Sequence, residues 1–404
     1  MAAMKRLFQL MADKKASDIF LSVSSPINIK INGVAVPVNQ QLMDADTIIK
    51  LLYEVLNEKQ IKEYEETLEL NTAYAMQGVG AFRISAMRQK NSPAVVVRYI
   101  PSEIPAFDSL GLPEVLKEQI MEKRGLILMV GATGSGKSTS LAAMLDYRNE
   151  LKSGHILTLE DPIEFIFRNK KSIINQREVG TDTLDFRVAL KNALRQAPDC
   201  ILIGEIRDKD TMAAAIAYAQ SGHLCLATLH ANNSYHALNR IISFYPLENR
   251  PALLQDLAAA LKCIVSQRLI RNRVGSRSAA AEVMLNTRHI AELIEKGEIS
   301  GMKEAMDKSM SPGSQTFEQA FFRMIRDGTI TQEEGMQNAD SPSNLIWLLN
   351  NTEAGTAMQG SPASGVPAAP TISMQTDKPK AATDAQDSGG ASFTEITLIT
   401  EDIK

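Results

Sequence analysis

The sequence predicts an α/β protein of two unlike domains, and three observations carry that expectation. Four short, nearly continuous apolar runs, "LILMV" at 126–130, "HILTL" at 155–159, "CILIG" at 200–204 and "LCLATL" at 224–229, are mostly separated by helix-patterned segments. Runs of that kind mark strands buried on both faces of a parallel sheet. A glycine-rich turn, "GATGSGKST" at 131–139, directly follows the first run and opens a helix-patterned stretch. The first hundred residues obey a different rule: apolar and polar positions alternate there, as in antiparallel strands with one buried face.

Taken in order, the chain begins with a helix on which Met4, Leu7, Phe8 and Met11 share a spacing. "SDIFLSV" then points Ile19, Leu21 and Val23 inward, and "INIKING" with "VAVPV" forms a hairpin turning at Asn32-Gly33. A helical stretch covers about 44–66, and strands resume at "LELNTAYAM", "GAFRISAMRQ" and "PAVVVRYI". These make a mixed α/β domain over 1–100. Pro101, Pro105, Gly111 and Pro113 punctuate 101–120 as a linker. The parallel α/β domain occupies 121–350, with helical segments from about 251 onward. Residues 351–404 are rich in Ala, Ser, Thr, Gly and Pro with one aromatic, Phe393, so they bury too little apolar surface to order and read as a disordered tail.

Bulk composition narrows the function. The 404 residues carry Lys+Arg 43 against Asp+Glu 47, a net charge of -4, so no global basic field favours nucleic acid. Cys200, Cys225 and Cys263 are far apart and form no C-x-x-C pair, which argues against a zinc site and for reduced core thiols in a cytosolic protein. No run of about 18 apolar residues is present, so direct membrane insertion is not expected and membrane association would come through a partner.

"GATGSGKST" matches the phosphate-binding loop G-x-x-x-x-G-K-[ST] in its proper strand-to-helix setting. Gly131, Gly134 and Gly136 let backbone N–H groups turn toward phosphate oxygens, with Thr133, Ser135 and Thr139 on the same loop. Lys137 is expected to reach the β and γ phosphates of ATP, and Ser138 to complete the shell of Mg²⁺. Ligands of a parallel sheet sit beyond the carboxyl ends of its strands. Glu160, Asp161 and Glu164 lie there after "HILTL", and Glu205 after "DCILIGE", which resembles a Walker B strand. Hydrolysis needs one carboxylate for a water and another for the metal. Two acidic strand ends supply both, without yet dividing the roles.

His223 and His230 are seven residues apart on one predicted strand, about 23 Å if extended, which argues against joint metal ligation. His230 ends the strand at the ligand edge, placed to sense a γ phosphate or bond Glu205; His223 serves packing or a subunit contact. Arg83, Arg98, Arg195 and Arg207 are candidates to complete a nucleotide site across a domain or subunit boundary.

With "LTLEDPIEF", "LRQAPDCILIGEIRD" and "SGHLCLATLHANN" in this order behind the loop, the chain resembles the secretion and pilus ATPases, RecA-like hexameric motors. Within them it resembles the type IV pilus retraction branch of PilT and PilU, with wording nearer PilU. The resemblance covers about 1–350. It implies a PAS-like first domain, a RecA-like ATPase domain, Glu164 as the residue that activates water, and Glu205 in support of Mg²⁺. It also implies a homo-hexamer at the inner membrane, working beside a PilT-like motor and a platform protein, with Arg83 and Arg98 closing the site. One departure stands out: "TRHIAELIEKGE" replaces the A-I-R-N-L-I type of motif tied to retraction, differing over His289 to Ile294. The rival expectations are a nucleotide-binding regulatory subunit that does not hydrolyse, and a translocation ATPase of the same fold.

Overall fold

The computed structural model describes residues 3–357 apart from 32, 77, 101, 102 and 310. Its first sheet is built from β1 (Asp18–Ser22), β2 (Asn28–Ile31), β3 (Val34–Pro37), β4 (Glu69–Met76), β5 (Gly80–Gln89) and β6 (Ser92–Ile100), in the order β3-β2-β1-β6-β5-β4. All neighbours are antiparallel. The N-terminal helix Ala3–Lys14 buries Met4, Phe8 and Met11 against it, and Phe8 stacks on Phe82 of β5 with ring centroids 4.1 Å apart. The single helical stretch expected at 44–66 is two helices, Ala45–Tyr53 and Glu58–Thr67. The break lies where the Asn57 side chain accepts the Gln60 N–H and starts the second helix afresh.

The second sheet contains β7 (Gly125–Val130), β8 (Gly154–Glu160), β9 (Ser172–Glu178), β10 (Cys200–Ile203), β11 (Leu224–Leu229), β12 (Leu261–Arg271) and β13 (Arg277–Leu285). Their order is β13-β12-β7-β11-β10-β8-β9, parallel throughout except where β13 returns antiparallel to β12. The four apolar runs are β7, β8, β10 and β11. β7 shows why its pattern does not alternate: Leu126, Leu128 and Val130 pack into one core while Ile127 and Met129 pack into the other.

Three expectations are corrected. Residues 251–350 are not all helical, because β12 and β13 lie within them. "SIINQRE" forms β9, a strand the apolar-run criterion passed over because only Ile173 and Ile174 in it are apolar. And the stretch expected as a linker carries a 3₁₀ turn, Phe107–Leu110, and a helix, Val115–Met121, that bury Phe107, Leu116 and Ile120 beside Met144 and Leu145. Of the expected tail, the helix Pro342–Ala357 occupies the beginning; the remainder, 358–404, lies outside the described residues.

All three cysteines are buried and unpaired. Burial pushes the Cys200 thiol up to about 11, which suits an inert core role.

Candidate functional site

The carboxyl ends of β7, β8, β10 and β11 share one edge of the parallel sheet, and a cleft of about 500 Å³ opens there. After β7 the chain turns through Gly131–Gly136 and enters the helix Lys137–Leu151. Gly134 and Gly136 have φ of +78° and +87°, a region L side chains rarely adopt. A Cβ at Gly136 would also lie 2.7 Å from Gln267 Nε2, so glycine is required twice over. Thr133, Gly134, Gly136, Lys137, Ser138 and Thr139 line the cleft; Gly131 and Ser135 face a smaller recess of about 250 Å³ behind the loop.

Lys137 is buried, and its Nζ donates to the carbonyls of Gly131 and Ala132, each at 2.9 Å. Burial holds its ammonium below the usual lysine range, while the charges of Glu205 and Glu164 oppose that shift. The lysine is therefore folded over its own loop, within electrostatic reach of two carboxylates.

The three carboxylates of "LTLEDPIEF" occupy three different environments. Glu160 is the last residue of β8 and is buried; its Oε1 accepts from Thr158 Oγ1 at 2.6 Å and Gln176 Nε2 at 3.2 Å. Burial raises its carboxyl above the ordinary range. Asp161 is exposed and pairs with Arg207 at 3.2 Å. Glu164 stands in the following loop and lines the cleft, near enough to Lys137 and Arg83 to act on both charges. β9 holds that loop in place: Gln176 accepts the Phe167 N–H and donates to the Phe165 carbonyl, and Glu178 accepts the Ile163 N–H.

Glu205 follows β10 into the same cleft. Arg207 Nε donates to its Oε2 at 2.7 Å, and His230 Nε2 lies 3.3 Å from its Oε1. His230 thus sits just past β11 against Glu205, one of the two placements expected for it. His223 precedes β11, where its ring Nδ1 lies 3.1 Å from Ser221 Oγ, away from the cleft. Asp199, the other acid of "DCILIGE", is at the opposite end of β10 and accepts the His155 N–H at 2.8 Å, so only Glu205 reaches the site.

The first sheet contributes two arginines. Arg98 of β6 lines the cleft while its Nε pairs with Asp18 at 2.9 Å. Arg83 of β5 is half-buried; desolvation lowers its pKa against the attraction of Glu178, Glu164 and Asp161. Arg195 is exposed on the turn Leu194–Gln196, before β10. Sequence reasoning missed Thr158, Gln176 and Glu178, which touch the acidic loop. The only signal for the latter two was the wording "NQREVGTDT", because β9 itself was not recognised.

A profile of the family described as type II/IV secretion system proteins matches residues 2–337. The chain belongs to that family. It is 46% identical over 346 residues to the type IV pilus ATPase PilU of Pseudomonas aeruginosa, covering 85% of this chain and 91% of that one. It is 39% identical to the pilus retraction ATPase PilT of the same organism, covering 84% and 98%. The crystal structure of the pilus retraction motor PilT with bound ADP superposes with a TM-score of 0.80 at 38% identity, covering 86% of this chain and 99% of that one. The fold is accordingly the RecA-like P-loop architecture behind a smaller α/β domain, as in PilT. No described helix is long and apolar enough to cross a membrane.

Proposed function

We propose that this chain is a Mg²⁺-dependent ATP hydrolase that powers or assists retraction of a type IV pilus as a PilU-like member of the motor. The observation that supports this most is the cleft itself, where the loop of Lys137 faces Glu164 and Glu205 from two neighbouring strand ends.

The residues fit a nucleotide. The positive-φ glycines and the lysine held on loop carbonyls are what an anion cradle provides. Among the described residues no group of three His, Cys, Asp or Glu is placed to hold a metal alone. Ser138 and Glu205 would therefore hold Mg²⁺ together with phosphate oxygens and water, the usual arrangement for this ion. When bound, the ion supplies charge neutralisation at the phosphates.

Glu164 orients a water and accepts its proton, since Asp161 and Glu205 are held in the Arg207 and His230 pairs and Glu160 is buried on Thr158 and Gln176. Arg83 and Arg98 close the site from the first sheet and balance developing negative charge. A homo-hexamer, a PilT-like partner motor and an inner-membrane platform protein complete the proposal, supported by the names of the relatives and by the PilT likeness.

The test is phosphate release from ATP with Mg²⁺ by the wild type, Lys137→Ala and Glu164→Gln, with and without a PilT-like motor. Lys137→Ala is expected to lose binding and turnover. Glu164→Gln is expected to keep ADP affinity and lose turnover by about 100-fold or more. Undiminished turnover in Glu164→Gln would remove it from the chemistry. Binding without turnover in the wild type, alone and with the partner, would mean a regulatory subunit.

A further inference from the structure

We infer that Gln267, on β12, is the positioning residue that aims the phosphate-binding loop, an inference that rests on the nucleotide reading of that loop. β12 pairs in parallel with β7 as far as Ser266 opposite Val130. At the next residue β7 has left the sheet, and Gln267 continues the connection with its side chain. The side chain is buried beneath the loop, with the residue 2% exposed. Its Nε2 donates to the Ser135 carbonyl at 2.9 Å, and its Oε1 accepts from Ser140 Oγ at 2.7 Å in the first turn of the helix.

The consequence follows from peptide geometry. The Ser135–Gly136 peptide is planar, with its carbonyl and the Gly136 N–H pointing in opposite directions. A carbonyl held on Gln267, on the sheet side, turns the Gly136 N–H away from Gln267 and toward the cleft that Gly136 lines. This left-handed conformation at Gly136 needs an external hold, because glycine has many alternatives. A glutamine amide supplies both a donor for a carbonyl, which can only accept, and an acceptor for a hydroxyl.

Loop amides of this kind bind the α and β phosphates. Loss of the Gln267 donor is therefore expected to weaken ADP and ATP alike, raising KM while leaving the rate at saturation nearly intact. Calorimetric titration of the full chain with ADP and with ATP, steady-state hydrolysis, and a thermal melt would be measured for the wild type, Gln267→Met and Ser140→Ala. Gln267→Met is expected to weaken both nucleotides and raise KM by about tenfold, with kcat within about threefold. Ser140→Ala removes the other bond of the same amide and is expected to leave affinity within about threefold.

Unchanged affinity in Gln267→Met, or an equal loss in Ser140→Ala, overturns the inference. So does a fall in kcat with KM unchanged. If Gln267→Met does not fold, Gln267→Asn, one methylene too short to reach Ser135, carries the same comparison. A wild-type chain that binds neither nucleotide would instead overturn the nucleotide reading itself.

Discussion

At the scale of single residues, the same side-chain type does different work according to its surroundings. Glu160, Glu164 and Glu205 all border the cleft within a few positions of strand ends, yet Glu160 is buried, Glu164 stands in a loop and Glu205 is held by Arg207 and His230. The spacing in the chain identified all three as candidates, and only burial and partners separated them. Glu282, on β13, shows how far burial can go. Its Oε1 accepts from the Ser234 N–H, Ser234 Oγ and Ser266 Oγ at 2.8, 2.7 and 2.9 Å. Burial nevertheless dominates and raises its carboxyl above the ordinary range. A carboxyl whose folded-state pKa is raised contributes stability when protonated and loses it as pH rises through that pKa. Glu282→Gln keeps an acceptor oxygen and removes the charge. The variant is expected to gain stability relative to wild type as pH rises from acid to neutral, by about 1.4 kcal/mol for each unit of upward shift. Urea midpoints across that range would read it, and a constant difference at all pH values would contradict it.

At the scale of elements, the helix Lys137–Leu151 ties the site to the rest of its domain. Its first turn follows the loop, and its last turn grips two other segments. Arg148 donates to the carbonyls of Ile120 and Glu122 at 2.6 and 3.0 Å, fastening the helix Val115–Met121. Asn149, fully buried, donates to the Arg168 carbonyl and accepts from the Lys170 and Ser172 N–H groups, fastening the far end of the loop that carries Glu164. Asn149→Ala leaves those backbone groups unpaired and is expected to cost about 2 kcal/mol or more of stability. A denaturation midpoint indistinguishable from wild type would show that water replaces the amide. The element most at odds with its sequence is β13, where Ala279, Ala280 and Ala281 favour a helix by intrinsic propensity. Nine residue pairs with β12 override that preference, and no local pattern reveals such pairing.

At the scale of the whole molecule, the first sheet reaches the cleft of the second. Arg83 and Arg98 sit opposite one another on β5 and β6, and both charges reach the cleft side. Arg83→Ala is expected to lower turnover at saturating ATP by about tenfold or more, with ADP affinity little changed. Equal loss of affinity and turnover would assign the residue to binding instead. The α/β class, the loop of Lys137 and the places of Glu164 and Glu205 just past strands of the parallel sheet were legible in the chain, because each depends on neighbours a few residues away. The burial of Glu160, the hold of Gln176 on the acidic loop and of Gln267 on the phosphate loop, and the approach of Arg83 were decided only by tertiary structure. Gln267, for one, meets Ser135 across 132 positions of chain. Local periodicity reports which face of an element is buried; it holds no record of which distant polar group will meet it there.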